Sequence, residues 1–304
     1  MITLDGKGLS KKIRIELKKE VEELKNKYSK IPCLKVVIVG DDPASKIYVK
    51  SKERIAKKIG INSELIEFDK NISQNDLIDE IKKLNDDKNV NAILVQLPLP
   101  DGFDTWKVLE EISPQKDVDR FHPYNLGLTL LSRTNIHACT PSGIMELIDE
   151  YSIDLNGKNA CVIGRSFIVG KPIAALLTNR NATVTLCHSR TKDIKSIVKN
   201  SDIVVAAIGK PGFVKSDDVK EGSVLIDVGI NYLDDEKMVK DLCTEEEIEK
   251  FYKKGYAITG DIDIRAFEKS SYYTPVPGGI GPMTVVMLMK NTVELFKLQN
   301  NINE

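Results

Sequence analysis

The feature that most constrains this chain is a recurring unit: a short apolar run, a turn marked by glycine or proline, and then a stretch with helical periodicity. Apolar runs at 34–39, 91–97, 159–164, 202–209 and 223–229 are each of strand length, and each ends in or is followed by Gly or Pro. Runs this short and mainly apolar read as strands buried on both faces. A further strand is expected at 63–68 and another at 182–187. Between them, Ile13, Leu17, Val21 and Leu24 recur at helical spacing, and Leu77, Ile81 and Leu84 mark another helix with Ser73 as its N-cap. Strands that alternate with helices need crossover connections, so the sheet is parallel and the fold class is α/β. A length of 304 residues suits one large domain or two of ordinary size. No internal repeat, low-complexity tract or long linker interrupts the pattern.

Composition narrows the function classes. Hydrophobic residues make up 41% and charged residues 29%, the balance of a soluble globular protein. A formal net charge of −1 offers no global field for nucleic acid or an acidic membrane. The start, Met1-Ile2-Thr3-Leu4-Asp5-Gly6, lacks the basic-then-apolar pattern of a signal peptide, and the apolar runs are too short to span a bilayer. Five widely spaced cysteines without Cys-x-x-Cys, and three histidines without ligand spacing, argue for free thiols and no metal site. The expected compartment is the cytosol.

Chemistry-bearing residues cluster after the strand-like runs. Gly40-Asp41-Asp42-Pro43 is turn chemistry, and Pro43 suits the first position of a helix. That helix puts Tyr48 and Lys52 four residues apart, on one face, at the carboxyl end of a strand where open α/β sheets bind ligands. Gln96 ends the 91–97 run and faces the same kind of edge. Asp119 follows close after that strand, whereas Asp117 reads as part of a solvated connection.

The second half carries a nucleotide pattern. The run at 159–164 leads into Arg165-Ser166 and then Val169-Gly170-Lys171-Pro172, a strand, glycine loop and helix that can hold a phosphate at a helix N-terminus. Ser166 replaces the middle glycine of the dinucleotide fingerprint. After the next strand come His188-Ser189-Arg190-Thr191, where an NAD site usually has an acid. A hydroxyl and guanidinium groups suit a 2′-phosphate, so NADP is the expected cofactor. Ile230, after the last strand, would lie near the nicotinamide ribose. Residues 233–254 read as a charged surface excursion. The stretch 273–284 is too rich in Pro and Gly for helix or central strand, and a helix is expected from 285 to 298.

Several motifs, in order along nearly the whole length, carry a family resemblance. They are Gly40-Asp41-Asp42-Pro43-Ala44-Ser45 with Tyr48-x-x-x-Lys52, Gln96-Leu97-Pro98-Leu99-Pro100, Lys116-Asp117-Val118-Asp119, Cys139-Thr140-Pro141-Ser142-Gly143, Gly164-Arg165-Ser166 with Val169-Gly170-Lys171-Pro172, and Pro275-Val276-Pro277-Gly278-Gly279-Ile280-Gly281-Pro282-Met283-Thr284. Together they resemble the bifunctional methylenetetrahydrofolate dehydrogenase/methenyltetrahydrofolate cyclohydrolase family. The resemblance implies two α/β domains with an interdomain cleft. Residues 1–139, completed by 276–304, would bind folate, and 140–275 would form a Rossmann-like NADP domain. It implies a homodimer pairing through the cofactor domain, and no metal. It implies that Lys52 is catalytic, with Tyr48 over the substrate and Gln96 hydrogen-bonded to the lysine. Asp119 would anchor the pterin, Gly278, Gly279 and Pro282 would line the folate, and Gly164, Arg165, Ser166, Ser189, Arg190 and Ile230 would meet NADP. Residue 120 is Arg where the family commonly has glycine. Two alternatives stay open on the residues alone: a dehydrogenase without the hydrolase, and a non-catalytic nucleotide-sensing relative.

Overall fold

The computed structural model describes residues 1–302, apart from the side chain of Ala44. In chain order the elements are β1 (Ile2–Thr3), α1 (Gly6–Tyr28), β2 (Cys33–Val39), α2 (Pro43–Ile59), β3 (Asn62–Phe68), α3 (Gln74–Asp86), β4 (Ala92–Val95), α4 (Thr105–Glu110), α5 (Pro123–Leu130) and α6 (Cys139–Glu150). There follow β5 (Asn159–Ile163), α7 (Gly170–Asn179), β6 (Thr183–Cys187), α8 (Ile194–Lys199), β7 (Ile203–Ala206), β8 (Val224–Asp227), β9 (Asn231–Leu233), α9 (Glu236–Leu242), α10 (Glu245–Lys254), β10 (Ala257–Thr259), β11 (Tyr272–Tyr273) and α11 (Ile280–Gln299). The chain forms two compact units.

The first unit comprises Ser10–Cys139 and the chain from Val285 onward. Its sheet is parallel, in the order β3-β2-β4. Because β2 is central, the chain goes to one side for β3 and to the other for β4, so a topological switch point lies between β2 and β4. Leu34, Val36, Val37 and Leu94 on these strands are almost wholly buried. The apolar stripe of α1 is buried too, as is the later part of α11, where Val286, Met289, Val293 and Phe296 lie. Asn291 on α11 donates to Val118 O at 3.0 Å and His137 O at 2.9 Å.

The second unit comprises Met1–Leu9 and Thr140–Thr284. Its parallel sheet runs β1-β11-β8-β7-β5-β6, with the switch point between β5 and β7. This is a doubly wound arrangement; the alternating pattern predicts its parallel strands, and the resemblance its Rossmann-like form. The units part at different edges from the expected domains. Residues 1–9 fall with the second unit because Ile2 and Thr3 pair with Tyr272 and Tyr273. Residues 276–284 fall there too, where Thr140 and Thr284 share a 2.9 Å hydroxyl contact.

Two further expectations need correcting. The stretch 233–254 is more than a surface excursion. With the antiparallel pair β9–β10 it buries Leu233, Val239, Leu242, Cys243 and Ala257 in a small core. The closing helix begins at Ile280, not 285, so Gly281 and Pro282 lie in its first turn. A proline is tolerated there because its missing N–H has no intrahelical partner to lose.

Candidate functional site

In the first unit, the switch point gathers the residues picked out by spacing. Asp42 accepts from Ser45 N at 2.7 Å and caps α2, with Pro43 in the first turn. The helix therefore starts directly after β2 and carries Tyr48 and Lys52 on one face. Gln96 N donates to Val37 O at 2.8 Å, which holds Gln96 beside the end of β2. Across the switch point, Lys52 Nζ donates to Gln96 Oε1 at 2.9 Å. Gln96 Nε2 donates to Leu97 O at 2.6 Å, which fixes the amide so that its oxygen faces the amine.

Asp119 reaches the same place by a route the sequence did not show. Residues 116–118 run beside β4: Ile93 N donates to Lys116 O at 2.7 Å and Val118 N to Ile93 O at 3.4 Å. Burial lowers the affinity of Lys52 for its proton, opposed by the charge of Asp119. The Asp119 carboxyl is pushed up to about 6, chiefly by burial, and Lys52 draws it partly back. Cys139 Sγ lies 3.7 Å from Asp119 Oδ1, and burial raises its thiol well above the ordinary range. Cys139 opens the Cys139-Thr140-Pro141-Ser142-Gly143 motif, but nothing in the sequence assigns it a role. Only its packing beside Asp119 shows that it belongs to this group.

Asp117 corrects the expectation of a solvated connection. It is 2% exposed and accepts from His122 N at 2.9 Å and Asn125 Nδ2 at 2.8 Å. It thereby ties down the turn that follows Asp119. Arg120 has a φ of +62°, the left-handed region that favours glycine. Its buried guanidinium donates to Pro114 O at 3.0 Å and lies in the field of Asp117.

In the second unit, Gly164 follows β5 with φ +119°. A side chain there would begin 2.3 Å from Ala207 O, so only glycine lets the two loops at the switch point close up. Ser166 Oγ accepts from Val169 N at 3.2 Å and Gly170 N at 3.3 Å, at the start of α7. Those amides and the helix dipole suit a phosphate group. Gly164 N donates to Cys187 O at 2.9 Å, and Ile163 pairs with Cys187, so 164–166 and 188–190 leave neighbouring strands at one edge. Arg165, Ser189 and Arg190 are exposed there, and Ile230, after β8, is 41% exposed. The cofactor residues are thus brought to one edge of one sheet. Gly278, Gly279 and Pro282 also belong to this unit, in the loop before α11 and in its first turn.

A doubly wound unit with a glycine loop at its switch point defines a dinucleotide-binding protein, and the polarised amine of the first unit gives it the equipment of an enzyme. A model described as the tetrahydrofolate dehydrogenase/cyclohydrolase catalytic domain matches residues 4–119, and one described as the NAD(P)-binding domain of the same proteins matches 138–300. The chain belongs to the tetrahydrofolate dehydrogenase/cyclohydrolase family. It is 49% identical over 298 residues, 98% of both chains, to a bifunctional protein FolD of Nitratiruptor. A Campylobacter jejuni FolD methylenetetrahydrofolate dehydrogenase/cyclohydrolase structure is 45% identical, with TM-score 0.90 over 98% of this chain and 99% of the other. A Trypanosoma brucei enzyme of the same description, solved with NADP cofactor and an inhibitor, is 38% identical, with TM-score 0.89 over 98% of each.

Proposed function

We propose that this chain oxidises 5,10-methylenetetrahydrofolate to 5,10-methenyltetrahydrofolate with NADP⁺ and hydrolyses the product to 10-formyltetrahydrofolate. The observation that carries the reading is the 2.9 Å contact of Lys52 with Gln96, on an amine whose proton is loosened by burial. NADP⁺, when bound, takes the hydride in the first step. The second step adds water to the methenyl carbon, and a base must remove a proton as the C–O bond forms. Neutral Lys52 can take that proton and return it to the ring nitrogen as the ring opens. Gln96 keeps the amine aimed, Tyr48 offers a flat face to the substrate, and Asp119 accepts from the N–H groups of the pterin. Gly278, Gly279 and Pro282 supply a rigid loop for the folate. Gly164, Ser166 and the start of α7 would hold the pyrophosphate, Arg165, Ser189 and Arg190 the 2′-phosphate, and Ile230 the nicotinamide ribose.

The antiparallel β9–β10 pair brings together Tyr232 and, just before β10, Tyr256, 53% and 39% exposed with ring centroids 5.5 Å apart, and this supports a homodimer formed through the cofactor unit. All five cysteines are unpaired and buried, which suits a reducing cytoplasm. Among the described residues no helix is long and apolar enough to cross a membrane.

The test follows both products in one assay. Lys52→Met should reduce formyl product by at least about a hundredfold while NADP⁺-dependent methenyl formation stays measurable. Formyl product at the parent rate would overturn the assignment of Lys52. Arg165→Ala should raise KM for NADP⁺ by about tenfold and leave that for NAD⁺ unchanged, as loss of one guanidinium–phosphate contact predicts.

A further inference from the structure

Two acids in the second unit have no part in the chemistry above. Asp261 is fully buried and Asp227 is 1% exposed, and neither has an ion-pair partner among the described residues. A buried carboxylate without a cation is costly unless hydrogen bonds replace its water. Here backbone amides do so. Asp261 Oδ2 accepts from Ile208 N at 2.7 Å and Gly209 N at 3.0 Å. Its Oδ1 accepts from Lys210 N at 2.8 Å and Asn231 Nδ2 at 3.0 Å. Asp227 in turn accepts from Gly229 N, Asp261 N and Ile262 N at 2.7–2.9 Å, and so fixes the backbone that carries Asp261. A Cβ on Gly229 would lie 2.3 Å from Asp261 Oδ1, so the chain passes that oxygen as closely as glycine allows.

The two segments held by Asp261 are not arbitrary. Residues 208–210 leave β7 at the switch point, and Ile208 sits against Gly164. Gly229 and Asn231 bracket Ile230. We infer that Asp261 is a positioning residue of the dehydrogenase, clamping the 208–210 loop and the 229–231 segment so that together they form a fixed seat for the nicotinamide half of the dinucleotide. The inference rests on the proposed cofactor site. Four separate donors, three from the 208–210 loop and one from Asn231, converge on this one side chain.

The experiment compares Asp261→Asn with the parent in both half-reactions. The amide NH₂ must face backbone N–H groups, so one pair of donors loses its acceptor. KM for NADP⁺ should rise and dehydrogenase kcat fall, each about tenfold or more, while cofactor-free hydrolysis of methenyltetrahydrofolate stays within about twofold of the parent. A parallel loss of both activities, or unchanged dehydrogenase constants, would overturn the clamp. Asn231→Ala removes a single donor and gives a second reading if Asp261→Asn does not fold. It should show the same selective loss at about threefold, and no selectivity would count against the clamp. Arg165→Ala, run alongside, separates the two ideas. NADP affinity lost in Arg165→Ala but kept in Asp261→Asn overturns the clamp alone; affinity kept in both overturns the cofactor site as well.

Discussion

Lys52 and Asp119 pull each other's protons in opposite directions while burial pushes both toward neutrality. The amine works as a base only when uncharged, so cyclohydrolase rate should rise with pH as Lys52 deprotonates, with a midpoint below the ordinary lysine value of about 10.4. Below about pH 6 Asp119 gains its proton and loses an acceptor for the pterin, so folate KM should climb there. The same carboxyl affects stability. Its folded value stands above 3.8, so the folded state binds this proton more tightly, and stability from this group declines as pH rises from near 4 to about 6. At pH 7 the folded protein therefore carries a strained carboxylate. Asp119→Asn should raise stability by ~1–2 kcal/mol, allowing for the residue's partial exposure, while raising folate KM. Urea unfolding at pH 7 beside steady-state kinetics measures both; a less stable variant would refute the electrostatic account. Arg120 shows that the turn beside Asp119 keeps its left-handed geometry without glycine, because Asp117 and Pro114 O hold the guanidinium and the turn together.

At the scale of elements, α2 matters most because its first turn decides where Lys52 stands. Asp42→Ala removes the cap on Ser45 N and should cost about 1 kcal/mol, with a fall in cyclohydrolase kcat larger than the fall in stability implies. Thermal unfolding compared with kcat reads this directly. Helix α11 contributes by packing rather than chemistry. Phe296 is 2% exposed, and Phe296→Ala should cost about 3–5 kcal/mol. Most helices and central strands could be placed from the sequence because their apolar periodicity is continuous: Ile13, Leu17, Val21 and Leu24 form one buried stripe. The two-residue strands β1 and β11 could not, because two residues carry no period. Nor could the first turn of α11, where Gly281 and Pro282 argue locally for a loop and tertiary packing overrides them.

Across the whole molecule, the exposed tyrosines of the β9–β10 pair lead to the expectation that the protein elutes as a dimer, and that Tyr232→Asp yields monomers with intact secondary structure. Light scattering with circular dichroism checks this; a parent monomer would refute it. The sequence by itself determined the α/β class, the residue types available for proton transfer, and the hydroxyl and guanidinium groups that favour NADP, because these depend on local periodicity and side-chain chemistry. It also singled out Tyr48, Lys52, Gln96 and Asp119, partly by spacing and partly through resemblance. Only the tertiary structure decided that the Lys52 amine meets Gln96 across a switch point, that Asp117 is buried rather than solvated, and that Asp261 joins two distant segments. Those outcomes depend on which strand ends become neighbours and how much water they exclude, and neither is written in any single stretch of chain.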